Sequence, residues 1–234
     1  EPTFMSSRDG EVFHRRLEAV IPETAPKDRS GNRSNYMTWG LVQLPGNDRE
    51  YSVYATEAYY TGPDSRVRRF SYRVDGFVSV GAPAGSGSLL TKPIRFSGKK
   101  LVVNFLTAKG GSVRIGLTDA SGKPIAGFSP DDSKPLVGDA IEQTIEWKAG
   151  SNVGSLAGTA VRLQVEFNNA ELFSFALLRW SAGVCCPCLF TVRYFVLRSG
   201  RSRLLRRVFR GTFILRFAAR TMAHWSSFTR GPTC

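Results

Sequence analysis

The sequence predicts an all-β chain: a three-strand meander in its first third, then a β-sandwich of jelly-roll type, then a basic tail of a different character. Three observations carry this. Residues 99–129 (KKLVVNFLTAKGGSVRIGLTDASGKPIAGFS) alternate, with Leu101, Val103 and Phe105 before Lys109-Gly110-Gly111 and Val113, Ile115 and Leu117 after it. A period of two marks half-buried antiparallel strands, and Gly-Gly between two such runs predicts a hairpin. Turn residues recur between further runs of this kind along the chain, and no helical segment lies nearby to cover the apolar face, so a second sheet is expected to cover it.

Composition supports a globular body. Of 32 Lys+Arg and 19 Asp+Glu in 234 residues, the 56 residues from Arg179 onward hold 11 Arg and no acid, which leaves the body 21 basic groups against 19 acidic ones. The net charge of +13 is therefore a property of the tail, and neither nucleic acid nor a membrane is expected as a partner of the body. Cys185, Cys186, Cys188 and Cys234 also lie in the tail, so cysteine usage says nothing of the body's compartment. No run of 18 apolar residues is present. The opening Glu1-Pro2-Thr3-Phe4 has neither a charged nor an apolar leader segment, and the true start is expected upstream; localisation is left open.

Taken in order, residues 4–7 form a short strand, and Ser7-Arg8-Asp9-Gly10-Glu11-Val12-Phe13 is a hairpin signal with Gly10 suited to the left-handed region. This turn is similar to a shortened Asp-box; the plainer reading is a tight turn in which Asp9 accepts from backbone N–H groups. Residues 22–33 are a polar loop. Strands follow at 35–44 (NYMTWGLVQL), 50–59 (EYSVYATEAY) and 66–74 (RVRRFSYRV), joined by Pro45-Gly46-Asn47-Asp48 and Thr61-Gly62-Pro63-Asp64. One meander cannot bury both of its faces alone. In it, the start of the first strand and the end of the second share an edge, which places Arg33 and Asn35 near Glu57, Tyr59 and Tyr60, with Trp39 on the same edge or, as the alternative, in the core. A carboxylate beside aromatic rings suits a sugar, so Asn35, Trp39, Glu57 and Tyr59 are the ligand-binding candidates; the alternative is a polar strand end with ordinary tyrosines. Arg66, Arg68 and Arg69 read as a solvated or cross-strand-paired face, and His14 as a surface residue.

Asp75-Gly76 marks the boundary. Residues 81–88 (GAPAGSGS) are expected to be too flexible for a strand. Strands are expected at 89–96, in the 99–118 hairpin, near 125–128, at 140–147, at 160–167 and from Leu172 through Phe175. Ile141, Ile145 and Trp147 oppose Glu142, Thr144 and Glu146; Val161, Leu163, Val165 and Phe167 oppose Arg162, Gln164 and Glu166. Asp131, Asp132 and Asp139 lie in one loop, where a Ca²⁺ ion is conceivable; the spacing fits no EF-hand, and a solvated turn is the reading adopted, with no metal and no cofactor.

Several segments resemble one family. Asp75-Gly76-Phe77-Val78-Ser79-Val80, Thr91-Lys92-Pro93, Gly127-Phe128-Ser129, Gly138-Asp139, Trp147-Lys148, Ser155 to Gly158 and Val161-Arg162-Leu163 are similar to the C-terminal part of bacterial proteins of the glycoside hydrolase family 32 type. The resemblance implies the last blade of a five-bladed β-propeller over residues 1–75 and the β-sandwich that follows it over 76–177. It also implies that the nucleophile, the transition-state-stabilising Asp and the acid/base Glu lie on earlier blades, so no catalytic residue is carried onto this chain. Glycoside hydrolysis needs two carboxylates flanking the scissile bond, and no motif here supplies such a pair.

From residue 179 the composition changes. Asp, Glu, Asn, Gln and Lys make up 37 of the first 178 residues and none of the last 56, an absence expected about twice in a million at the body's own rate. All five have codons with adenine in second position, and the tail keeps only Tyr194 and His224 of that set, as a shifted reading frame would produce. Residues 178–234 are therefore expected to be an aberrant Arg-rich frameshift product, with the authentic domain ending within a few residues of Phe175. The functional alternative is a cationic amphipathic helix over 201–220, although Gly211 interrupts it. Cys185-Cys186-Pro187-Cys188 lacks the second ligand pair that a zinc site needs.

The expected function is the C-terminal fragment of a glycosidase-like protein, the sandwich supporting the propeller, with carbohydrate and the earlier blades as partners. A non-catalytic carbohydrate-binding or structural module is the first alternative, and a basic-tailed membrane or nucleic-acid binder the second.

Overall fold

The computed structural model describes residues 2–7, 10–23, 35–57 and 65–178, together with the backbone of 193–195. Within these the chain is all-β, with three antiparallel sheets. The first is the hairpin of β1 (Thr3–Ser7) and β2 (Phe13–Ala19), in which Ser7 pairs with Phe13. Gly10 takes φ +83° and donates its N–H to Ser7 Oγ at 2.9 Å. The second sheet is the meander β3 (Tyr36–Met37), β4 (Glu50–Glu57) and β5 (Arg66–Arg73), in that order. β3 is far shorter than residues 35–44 suggested, because Gly40 at φ +101° turns the chain off the ladder; only the Val42–Ser52 bridge resumes it.

The third sheet contains β6 (Val80–Leu90), β7 (Lys100–Asp119), β8 (Asp139–Thr144), β9 (Val161–Leu178) and β10 (Arg193–Phe195). β9 is central: β7 runs along one edge, while β6 and β10 pair with its other side, and β8 flanks β7. Two expectations are corrected here. Residues 101–117 are not a hairpin but one strand of 20 residues, both halves of which pair with β9. The separate strands expected at 160–167 and from Leu172 are likewise one strand, Val161–Leu178, of 18 residues. Between Thr107 and Ser112 four residues of β7 oppose Asn169 alone, with Gly110 at φ +77°. Gly111 lies so close to the Asn169 carbonyl that a Cβ would overlap it. β6 bulges at the same level, its Ala82 and Ser86 facing Ala170 and Asn168. The glycines that looked like a turn are thus those of a bulge, where the extra residues bend a continuous strand.

The same physics explains β6, which contains the stretch expected to be too flexible for a strand. Gly81 sits where a Cβ would strike the Ala170 carbonyl, and Gly85, at φ +103°, donates to Asn169 Oδ1 at 2.7 Å. Gly81 serves close backbone approach and Gly85 a positive φ, and neither serves flexibility. Residues 125–128 form no strand of their own, yet they lie along β7, with Leu117 N donating to Phe128 O at 2.7 Å. Beyond β6, Ile94 meets Val161 only as an isolated bridge.

One apolar core unites both halves of β7 and β9. It includes Leu101, Phe105, Ile115 and Leu117 from β7, and Leu163, Phe167, Leu172 and Phe175 from β9. Trp147 closes it, its Nε1 donating to Ile115 O at 2.7 Å and its ring meeting Phe128 edge-on at 5.4 Å. Val161, Leu163, Val165 and Phe167 are buried, as the alternation predicts. Ile141 is not in this core. Between the Val103–Gln143 and Phe105–Ala140 pairs β8 carries one extra residue, and this bulge shifts the side-chain phase so that Ala140, not Ile141, joins Ile145 and Trp147. The meander has a much smaller core of Ile21, Val53 and Ala55, with Phe70 and Tyr72 packed against it.

Candidate functional site at the junction of the two sheets

The Tyr36–Thr56 and Met37–Ala55 pairs, continued by one residue, set Asn35 opposite Glu57, and Glu57 pairs in turn with Arg66. Strand direction therefore brings Asn35 and Glu57 to one edge. The side chain of Glu57 turns inward. Val53, Ala55 and Glu57 share one face of β4, and Glu57 is only 1% exposed. A buried carboxylate must be compensated, and here Arg66 Nε donates to Oε2 while Arg68 Nη2 lies 3.3 Å from Oε1. Arg69 completes a cross-strand set, donating to Ser52 Oγ at 2.9 Å. Arg66 and Arg68 are thus paired across strands on one face and Arg69 on the other, and Glu57 anchors β4 to β5. Asn35 is also buried, with Nδ2 donating to Pro22 O at 2.8 Å. Trp39, by contrast, is 77% exposed. Tyr59, like Arg33, Tyr60 and Asp9, lies outside the described residues.

Among the described residues a denser polar cluster lies elsewhere, where the meander meets the large sheet. Arg73, the last residue of β5, donates from Nε to Asn104 Oδ1 and from Nη1 to Asp139 Oδ1, each at 2.6 Å. Its Nη2 donates to Phe105 O at 3.0 Å and Ala140 O at 2.9 Å, and its guanidinium lies 4.7 Å from the Phe173 ring centroid. A planar fork of five donors suits this arrangement as no ammonium would. Asn104 Nδ2 donates back to Val74 O at 2.7 Å, and Arg49 Nη2 stands 2.8 Å from Asp139 Oδ1. Gly76 leaves room for the arginine stem, since a Cβ there would come within 2.7 Å of Arg73 Cβ and Cδ. On the other side of the linker Phe77 stacks on Phe4 and Tyr51, with centroids 5.5 and 6.4 Å apart, and tilts against Tyr72 at 5.8 Å. Sequence reasoning missed this hub. Its one visible signal is Asn104, a lone amide inside the apolar run LVVNFL.

Burial opposes ionisation of Asp139, but the Arg73 and Arg49 guanidiniums outweigh it and hold the carboxyl below the usual carboxylate range. A carboxylate with a depressed folded-state pKa stabilises the fold above its unfolded value of about 3.9 and loses that contribution as pH falls through the folded value. Urea midpoints measured at neutral pH and near pH 3 are therefore expected to fall less in Asp139→Asn than in the wild type. An equal fall in both would remove Asp139 from the acid response.

A cleft of about 660 Å³ opens beside this junction, lined by the 43–51 turn, Val74, Asp75 and residues 139–142 of β8. The Asp131–Asp139 loop does not converge on one point. Asp132 caps the 3₁₀ turn Pro130–Asp132, accepting from Ser129 Oγ at 2.7 Å, and pairs with Lys148 at 3.0 Å; Asp139 belongs to the junction. Among the described residues no three His, Cys, Asp or Glu side chains are grouped so as to hold a metal ion. None of the described helices is long and apolar enough to cross a membrane. Comparison with known proteins finds no matching family model, no matching curated protein and no matching solved structure.

Proposed function

We propose that this chain is the C-terminal part of a carbohydrate-active protein of the glycoside hydrolase family 32 type, in which the five-stranded sheet buttresses the last blade of a propeller. In this reading the sheet is the sandwich domain and the described residues carry no hydrolytic site. The observation that supports it best is the junction: a meander whose core has only Val53 and Ala55 buried, with Ile21 from the segment before it, is held to a well-packed sheet through Arg73. Exposed apolar groups point to further β-structure beside the meander. Met5, Val12, Phe13, Leu17, Tyr36, Met37, Trp39, Leu41, Val42 and Val67 are exposed on the first 75 residues, against Leu106 and Val137 on residues 76–178. Exposed apolar groups in this number are what neighbouring blades would cover. Glu57, saturated by two arginines, is unsuited to serve as acid or nucleophile, and one carboxylate cannot do both. The purified chain is expected to show no turnover of fructan, arabinan or aryl-glycosides above buffer, with Glu57→Gln indistinguishable from it. Turnover that Glu57→Gln abolishes would place a working site on this chain and overturn the reading.

A further inference from the structure

We propose that the cleft between the meander and β8 binds a short neutral oligosaccharide; the inference rests on the carbohydrate reading above and names a site for it that the sequence does not reveal. The volume of about 660 Å³ is that of a small-molecule site, about 300–1,000 Å³. Its lining suits one ligand chemistry. Gln43, Asp48, Arg49 and Glu142 supply planar amide, carboxylate and guanidinium groups, which accept from and donate to vicinal hydroxyls in pairs. Tyr51, steadied by its stacking on Phe77, adds an aromatic wall. With Asp75 and Asp139 the lining holds four carboxylates and one guanidinium, a balance that repels phosphate, nucleic acid and acidic glycans. The carboxylates are also spread around the cleft, and among the described residues no three of them are grouped to hold a metal ion, so a compact cation is not the fitting occupant. A neutral, extended polyol is. The walls come from two bodies clamped by Arg73, so the site is preformed.

Calorimetric titration of the full chain with fructo-, arabino- and cello-oligosaccharides, beside a uronic-acid oligosaccharide of equal length, tests this. At least one neutral series is expected to bind and the uronate is not. The exposed lining residues permit clean variants: Gln43→Ala with Glu142→Gln is expected to weaken binding about tenfold, by loss of paired hydrogen bonds to the sugar, with an unchanged circular dichroism spectrum. Absence of heat with every neutral series overturns the cleft proposal. So does wild-type affinity in the double variant accompanied by loss in Trp39→Ala, which would move the sugar to the outer rim. Neither result bears on the buttress, which is read from turnover and from exchange protection.

Discussion

Replacing Arg73 by alanine is expected to destabilise the chain by about 2–4 kcal/mol, the range for removing one partner of a largely buried, hydrogen-bonded ionic cluster. The side chain of Arg73 is 17% exposed and makes four hydrogen bonds across the junction. Its loss strands the Asn104 amide oxygen and two backbone carbonyls and leaves Asp139 to Arg49 alone. Asp139 is 45% exposed on its side chain, so water recovers part of its share and the cost stays below that for a fully enclosed pair. Arg73→Lys should recover only a fraction, because a point charge cannot reach Asn104, Asp139, Phe105 and Ala140 together. Chemical denaturation of the two variants checks this. A lysine variant as stable as the wild type would mean that charge, not the fork, holds the junction.

Leu163→Ala is expected to cost about 2–5 kcal/mol, against no more than about 0.5 for Gln164→Ala. Leu163 is fully enclosed near the start of β9, where β7 pairs with one edge and Thr91, just beyond β6, bonds the other, its N–H donating to Leu163 O and its Oγ1 accepting from Leu163 N–H, each at 2.9 Å. A site gripped on both edges collapses poorly around a void, which places the cost toward the upper part of the range. Gln164 points to the opposite face. Equal effects at the two positions would show the register of β9 to be wrong.

The alternation over residues 161–167 was legible because its polar partners, Arg162, Gln164 and Glu166, leave no doubt which face is wet. The continuity of β7 and β9 was not. Gly110-Gly111 and Asn168-Asn169 carry the same chemistry in a bulge as in a turn, since both need a positive φ or a close backbone approach. Only the partner strand decides between them, and the partner is remote in sequence. Composition misled at β6 for the same reason. The bulge on β8 moved Ile141 out of phase, a shift that no period-two reading can register. At the candidate edge, strand direction correctly joined Asn35 to Glu57, whereas the inward turn of Glu57 depended on knowing that Arg66 and Arg68 lie beside it. Arg73 was illegible because its four acceptors come from strands about 30 to 67 residues away in the chain.

Hydrogen exchange on the full chain tests the central claim, that the large sheet supports the meander and not the reverse. In Leu163→Ala, amides of β9 and β7 such as Val165 and Ile115 should lose protection, and Val53, Ala55 and Phe70 in the meander should lose it with them. In Val53→Ala, the meander amides alone should exchange faster. Loss of protection in both sheets on Val53→Ala, or a meander still protected in Leu163→Ala, would contradict the account.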